Sequence, residues 1–170
     1  MDNRLKVLRS KLDAIIQDLT PEDRRYFFTR LYGVSDFAVL LAIRRGLNPE
    51  IAAACGMLHD IYPLTTGSYV DHGPKGAELT HGILTDTGLY TQEEIETIAT
   101  AIARHSRKEA VHEPYDEILK DADVLHHRLY NALSPAKAYE EQRYCRVLAE
   151  LGAIITEANE PAMDLARGEG

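Results

Sequence analysis

Apolar residues recur along this chain every three or four positions, the spacing that gathers them on one face of an α-helix. Ile95, Ile98 and Ile102 mark one such face, and the stretch from Val147 to Ile155 holds another. No alternating apolar and polar stretch of useful length indicates a strand. The pattern therefore predicts an all-α protein, with helices over about 3–18, 22–45, 49–60, 73–86, 92–106, 115–131 and 135–158.

Helix-capping signals support these boundaries. Thr20 places a capping hydroxyl directly before Pro21, which suits the first position of a helix. Thr91 and Glu94 fit the capping box, in which a hydroxyl and a carboxylate satisfy free backbone donors. The segment from Pro63 to Gly73 is rich in Pro, Gly, Thr and Ser, and it predicts a loop.

Length and composition indicate one soluble, folded domain. The chain has 170 residues, of which 45% are apolar and 27% are charged. Its formal net charge of −8 counts against non-specific nucleic-acid binding, which depends on neutralising phosphates. No apolar run approaches the ~18 residues of a membrane span, and the N-terminus is charged where a signal peptide is apolar. We therefore expect no membrane span and a cytoplasmic location.

The dipeptide His59-Asp60 is the strongest local feature with chemical potential. It follows the apolar helix from Ile51 to Leu58 and precedes Pro63, which disfavours helix at the residue before it. Both side chains are therefore expected where a buried helix meets a loop. Imidazole and carboxylate are good ligands for borderline divalent metals. The alternative is a capping Asp beside a surface His.

Three further His and Asp residues occupy comparable places. His72 lies where the predicted loop enters a helix, and His105 ends the apolar helix that begins near Ile95. Asp123 lies among apolar neighbours in another helix, where a carboxylate costs several kcal/mol unless it is paired or metal-bound. Each has an ordinary alternative, either a helix end or a solvent-facing position. Together with His59-Asp60 they favour a metal site.

In this order the motifs GMLHDIY, DHGPKGAEL, AIARHS and LKDADVLHH resemble those of the HD superfamily of metal-dependent phosphohydrolases. The likeness covers about residues 26–131 and is to small bacterial HD-domain proteins. It implies a single helical bundle of about six to seven helices across residues 1–170. A flanking N-terminal helix and a C-terminal helix over about 135–158 would complete the domain.

The resemblance also implies a chemistry. In the family, His and Asp side chains hold one or two divalent ions (Mn, Mg, Fe, Co, Ni or Zn), and metal-bound water attacks a phosphate ester or anhydride. His59, Asp60 and Asp123 would form the first metal site. His72 and His105 would form the second, with Asp60 shared between the two. The implied substrate is a small phosphorylated compound such as a nucleotide.

The chain departs from the family pattern at its first position. That pattern begins with a histidine in the helix before the His-Asp pair, but here no histidine precedes His59. By spacing, Arg30 takes its place, and a guanidinium has no lone pair for a metal. Either Arg30 faces the pocket and binds substrate phosphate, or the first metal site is weakened and the domain keeps its fold without efficient catalysis. In the second case the domain is a degraded enzyme that binds a ligand or a partner protein.

Two lesser expectations complete the sequence reading. Lys75, three residues after His72, is a candidate phosphate contact, with a solvated surface lysine as the alternative; Asp60, Arg30 and Lys75 are the candidate catalytic residues. The C-terminal helix has an apolar face that either mediates a homodimer or packs on its own domain.

Overall fold

The computed structural model describes residues 3–131 and 137–152. Within these ranges the chain forms eight α-helices and no strand, so the predicted all-α fold is confirmed. In chain order the helices are α1 (Arg4–Gln17), α2 (Pro21–Arg44), α3 (Pro49–Leu58), α4 (Ile61–Thr66), α5 (His72–Thr87), α6 (Gln92–Arg104), α7 (Pro114–Tyr130) and α8 (Ala138–Glu150).

The short helix α4 corrects the prediction of a loop from Pro63 to Gly73. Pro63 lies in the first turn of α4, where a missing N–H removes no helical hydrogen bond. Gly67 ends the helix with a φ of 70°, a left-handed conformation that glycine adopts without steric cost. The segment rich in Pro, Gly, Thr and Ser therefore contains most of a short helix as well as the loop after it.

Helix α3 forms the centre of the bundle. Every residue from Ile51 to Leu58 is buried, as expected of a short helix that is apolar on all sides. It packs against α2, α6 and α7, while α5 packs along α6. His59 and Asp60 directly follow α3, and both are therefore buried in the core of the bundle.

The predicted caps are present. The Thr20 side chain accepts a hydrogen bond from the backbone N–H of Asp23. Thr91 and Glu94 form both bonds of the capping box. Each bond satisfies a backbone donor that a helix start otherwise leaves unpaired.

Helix α8 packs on α7 of its own domain and buries Val147 and Arg143 there. Of the predicted C-terminal helix over 135–158, the segments 135–136 and 153–158 lie outside the described residues. The sequence allowed the apolar face of this helix either to mediate a homodimer or to pack on its own domain. In the described part of the helix, that face packs on its own domain.

Helix α2, extended to Arg45, is long and apolar enough by length and composition to cross a membrane, and it alone of the described helices passes that test. It also packs against α3 and α7, and 39% of its most apolar stretch is buried inside the protein. A core helix of a soluble protein passes the same test, so this finding is weak evidence for a span. The absence of a membrane span stays a prediction.

Candidate metal centre

The His and Asp residues of the family pattern, together with Arg30, converge where six helices meet. They come from the middle of α2, the junction of α3 and α4, the first residue of α5, the end of α6 and the middle of α7. The converging residues are Arg30, His59, Asp60, His72, His105 and Asp123.

Two glycines allow this convergence. A Cβ at Gly56 would clash with the backbone of Ser35, so α3 and α2 approach this closely only because the residue is glycine. A Cβ at Gly73 would lie 2.9 Å from the carbonyl oxygen of Ala103, which has the same consequence for α5 and α6. The first contact brings Arg30 to the end of α3, and the second brings His72 to His105.

The three histidines share one hydrogen-bonding arrangement. Each directs Nδ1 at the backbone carbonyl three residues earlier, and since a carbonyl oxygen only accepts, Nδ1 carries the proton. In a neutral ring, Nε2 then carries the lone pair through which imidazole binds a metal. The distances are 2.7 Å from His59 to Gly56, 3.0 Å from His72 to Tyr69 and 2.7 Å from His105 to Ile102.

Asp60, His72 and His105 form a cluster that could hold a metal ion. The Nε2 atoms of the two histidines lie 3.1 Å apart, and they lie 3.7 and 3.8 Å from Oδ1 of Asp60. Among residues 3–131 and 137–152, these three side chains are the one set of three or more His, Cys, Asp or Glu residues whose ligand atoms all lie within 4.8 Å of one another. Oδ1 of Asp60 is buried and has no hydrogen-bond partner there.

A divalent cation fits this cluster. Two lone pairs that face each other at 3.1 Å repel, and a buried carboxylate oxygen without a donor is costly. Two nitrogens bound to one ion at ~2.1 Å each come about 3 Å apart. One ion at the cluster would therefore relieve both problems.

The other oxygen of Asp60 faces a guanidinium. Nε of Arg30 lies 2.6 Å from Oδ2 of Asp60, and Nη2 of Arg30 lies 2.9 Å from Oδ1 of Asp123. Nζ of Lys108 lies 2.6 Å from Oδ2 of Asp123. Two protein cations thus bind the carboxylates that the resemblance assigns to the first metal site.

His59 and Asp123 therefore differ from the other predicted ligands, because they lie beside Arg30 and outside the cluster of Asp60, His72 and His105. Nε2 of His59 lies 3.2 Å from Oδ2 of Asp60 and 4.0 Å from Oδ1 of Asp123, on the Arg30 side of the cluster. With a guanidinium bound to both carboxylates, this donor set does not fit a metal ion in the present arrangement. The assignment of His59 and Asp123 to a first metal site stays a prediction of the family resemblance.

Three titratable groups of the centre, His105, Asp60 and Asp123, have pKa values that favour their metal-binding protonation states near neutral pH. Burial lowers the pKa of His105 to about 3. Burial raises the pKa of Asp60, but the Arg30 guanidinium lowers it further, so the net pKa lies far below the ordinary value. Burial likewise opposes ionisation of Asp123, but Arg30 and Lys108 hold its pKa well below the usual range.

The centre opens to solvent beside Arg30. Two cavities of about 340 and 260 Å³ meet there, and both are lined by Tyr26, Arg30 and His127. The larger one also reaches His126, and the smaller one reaches Lys108. The Arg30 side chain is 18% exposed, which is enough for its outer edge to contact a small ligand.

Lys75 is engaged elsewhere. Its Nζ donates to the carbonyl oxygen of Val70 at 3.2 Å and stands 5.2 Å from the centre of the Tyr62 ring. The lysine that does reach a site carboxylate is Lys108, which the sequence reading missed. It lies in the turn after α6, three residues beyond His105, and no motif marks it.

The structure is therefore an all-α protein with a buried cluster of His and Asp residues that could hold a cation. The sequence model of the HD domain matches residues 27–128, more than half of the chain. The chain therefore belongs to the HD domain family.

One solved structure supports the same fold. It is the crystal structure of a predicted HD superfamily hydrolase from an uncultured Thermotogales bacterium, which is 22% identical in sequence and superposes with a TM-score of 0.56. The comparison covers 84% of this chain and 88% of that one. At this identity the likeness establishes the fold alone. No curated protein matches the sequence.

Proposed function

We propose that this protein is a metal-dependent phosphohydrolase that acts on a small phosphate ester or a nucleotide. One observation carries the proposal: the lone pairs of His72 and His105 and the unpartnered Oδ1 of Asp60 converge within 4.8 Å, beside an arginine that reaches solvent. A divalent ion held there would lower the pKa of the water bound to it and offset charge on the phosphoryl oxygens.

The protein's own cations suit a phosphate. Within the described residues, the contacts of Arg30 with Asp60 and Asp123 use Nε and Nη2, so Nη1 keeps its two N–H donors. Arg binds phosphate oxygens through such paired donors, and Lys108 adds a second positive charge at the smaller cavity. These two side chains would hold and orient the phosphoryl group against the cluster.

The test begins with metal content. Protein purified without a chelator and under low oxygen should contain at least about one equivalent of a divalent metal. Asp60→Ala should lose it, because the variant lacks the oxygen that faces both histidines. Asp86→Ala, an exposed carboxylate on α5, is the matched control and should keep the metal.

Activity is then measured on a panel of phosphate esters and nucleotides with Mn, Mg, Co, Ni, Fe and Zn. We expect metal-dependent release of phosphate or of a nucleotide product, abolished in Asp60→Ala and retained in Asp86→Ala. The absence of turnover with every metal on a broad panel would contradict the proposal.

A second candidate function is a ligand-binding module without catalysis. The observation that favours it is the charge balance around Asp60 and Asp123, whose two negative charges are matched by Arg30 and Lys108. The charge of the two carboxylates is therefore balanced without a metal. Calorimetric binding of pyrophosphate or a nucleotide to metal-free protein, lost in Arg30→Ala and without any turnover, would favour this candidate over the enzyme.

A further inference from the structure

We propose that the centre takes one divalent ion instead of two, and that Arg30, together with Lys108, supplies the positive charge that a second ion would bring. The inference rests on the metal-dependent function proposed above. It concerns this chain in particular, because it follows from an arginine at the place where the family pattern has a histidine.

The first support is the position of the guanidinium. It bridges Oδ2 of Asp60 at 2.6 Å and Oδ1 of Asp123 at 2.9 Å, so it occupies the space between the two carboxylates of the first metal site. Arg30 is held there from α2, which the close contact at Gly56 fixes against α3. An ion between these oxygens would have to displace a charged group that has two short ionic contacts.

The second support is that the two carboxylate oxygens of Asp60 face different groups. Its Oδ1 faces His72 and His105, while its Oδ2 faces Arg30. A carboxylate that bridges two metals would have an ion on each oxygen. Here one oxygen is left for an ion, and the other already has a cation from the protein.

The third support is the total charge. The two carboxylates and the two protein cations, Arg30 and Lys108, sum to zero. One divalent ion at the histidine pair gives a net charge of about +2, which matches a phosphate dianion. A second divalent ion would raise the net charge of this largely buried site to about +4, and it would repel Arg30 at close range.

In this arrangement His59 is a potential metal ligand that has no ion to bind. Its Nε2 is buried, has no hydrogen-bond partner among the described residues, and lies 3.2 Å from Oδ2 of Asp60. If an imidazole replaced the guanidinium at position 30, His59 would have a second nitrogen donor and two released carboxylate oxygens beside it. Arg30→His should therefore create the second metal site.

The experiment measures Mn²⁺ stoichiometry by calorimetry on metal-free protein, with electron paramagnetic resonance of the loaded protein as an independent readout. Wild type should bind about one ion and show an uncoupled Mn²⁺ spectrum. Arg30→His should bind about two ions and show the spin coupling of a two-metal site. Arg30→Lys is the matched control; it keeps a positive charge at this position and should bind about one.

A pair of variants at His59 assigns the second ion. His59→Ala should leave the wild-type value at about one, since His59 belongs to the side that Arg30 fills. The same change in the Arg30→His background should return the value from two to one. Circular dichroism confirms folding for each variant.

Each other outcome overturns a specific statement. Two ions in wild type would overturn the single-ion inference and leave the proposed function standing, and this result does not depend on any variant folding. One ion in folded Arg30→His would show that Arg30 does not exclude the second. No ion in wild type under any condition would overturn the proposed function together with this inference.

Discussion

Two buried clusters of charge lie on α7, two residues apart, and they are built in opposite ways. At the metal centre, Asp123 meets Arg30 and Lys108. On the other side of the helix, Asp121 accepts bonds from three arginines: Arg45 at 2.7 Å, Arg143 at 2.8 Å and Arg146 at 2.9 Å. We refer to the group of Arg45, Glu117, Lys120, Asp121, Arg143, Arg146 and Glu150 as the Asp121 network.

The two clusters differ in how completely the protein satisfies them. In the Asp121 network, Nζ of the fully buried Lys120 has three partners, at Ala110, His112 and Glu117. No buried side-chain atom of the network lacks a hydrogen bond within the described ranges. At the centre, Nε2 of His59, Oδ1 of Asp60 and Oδ1 of Asp123 have no hydrogen-bond partner among the described residues.

Buried polar atoms in folded proteins are almost always paired. A saturated cluster therefore indicates a structural role, because nothing is left for a ligand to bind. An unsaturated cluster of metal-ligating atoms indicates a binding site. Charge and burial alone do not separate the two, since both clusters are charged and buried.

The Asp121 network also supports the centre. Nε of Arg143 donates to the carbonyl oxygen of Lys108 at 2.8 Å, and both Arg143 and Lys120 donate to the carbonyl oxygen of Ala110. These bonds fix the turn after α6, from which Lys108 reaches Asp123. Helix α8, which carries Arg143, thus positions a cation of the centre without contacting the site carboxylates.

The largest expected effect comes from removing a ligand of the unsaturated cluster. His72→Ala should abolish metal binding and lower phosphohydrolase activity by at least ~10³-fold, since an ion held by Asp60 and His105 alone has too few protein ligands. His81→Ala on the same helix α5 is the matched control, because its ring is 44% exposed and contacts Gln92 and Glu96. Metal analysis and initial rates measure both.

The same pair of variants gives a readout in stability. Saturating wild type with metal at about 100 times its Kd should raise the free energy of unfolding by about 2.7 kcal/mol. His81→Ala should show the same rise, and His72→Ala should show none. A metal-induced rise that persists in His72→Ala would place the ion elsewhere.

The next effect comes from breaking the saturated cluster. Asp121→Ala leaves three arginines without their shared carboxylate, and it should lower the free energy of unfolding by about 3 kcal/mol. Arg45 and Arg143 keep bonds to Glu150 and Glu117, which limits the loss. Urea denaturation measures it.

Asp36→Ala, an exposed carboxylate on α2, is the control for Asp121→Ala and should change stability by less than about 0.5 kcal/mol. Metal stoichiometry per folded molecule should stay at the wild-type value in both variants. A loss of the metal in Asp121→Ala would mean that the two clusters are not separate.

The sequence indicated side chains that the structure brings together, but it did not indicate the contacts that they make. His59, Asp60, His72, His105 and Asp123 fall at recognisable places, namely helix ends and one apolar helix. Their order along the chain carries the family resemblance.

The pairing of these residues depends on contacts between distant segments. Lys108 reaches Asp123 because Arg143 of α8 holds its turn, and no local pattern encodes that contact. The sequence of α7 alone is also compatible with a solvent-facing Asp121. It is buried because α8 covers it with Arg143 and Arg146. The short helix α4 escaped prediction because its proline lies in the first turn, where the usual rule against proline does not apply.

A smaller effect concerns pH and the Asp121 network. Burial raises the pKa of Glu117, but hydrogen bonds from Lys120 and Arg143 lower it further, so the net pKa lies below its ordinary value of 4.5. A lowered pKa in the folded state means that the unfolded chain takes up the proton first as the pH falls. The ionised Glu117 therefore stabilises the fold above about pH 4.5, and this contribution is lost below it.

Glu117→Gln should accordingly lower the free energy of unfolding by about 1 kcal/mol at pH 7. The gap between wild type and variant should close as the pH falls from 5 towards 3. Urea denaturation of both proteins at several pH values measures the gap. A gap that stays constant over this range would mean that the charge of Glu117 contributes nothing.

The smallest effect separates the two lysines. Lys108 lies at the cavity beside Arg30 and contacts Asp123, whereas Lys75 contacts Val70 and Tyr62. Lys108→Gln should raise KM for a phosphate ester by roughly 3- to 10-fold, because it removes one of two cations that face the phosphoryl group, and Lys75→Gln should change KM less than about twofold. Steady-state kinetics measures both. The reverse result would make Lys75 the phosphate contact, as its spacing from His72 suggests, and would leave Lys108 as a structural partner of Asp123, comparable to the arginines around Asp121.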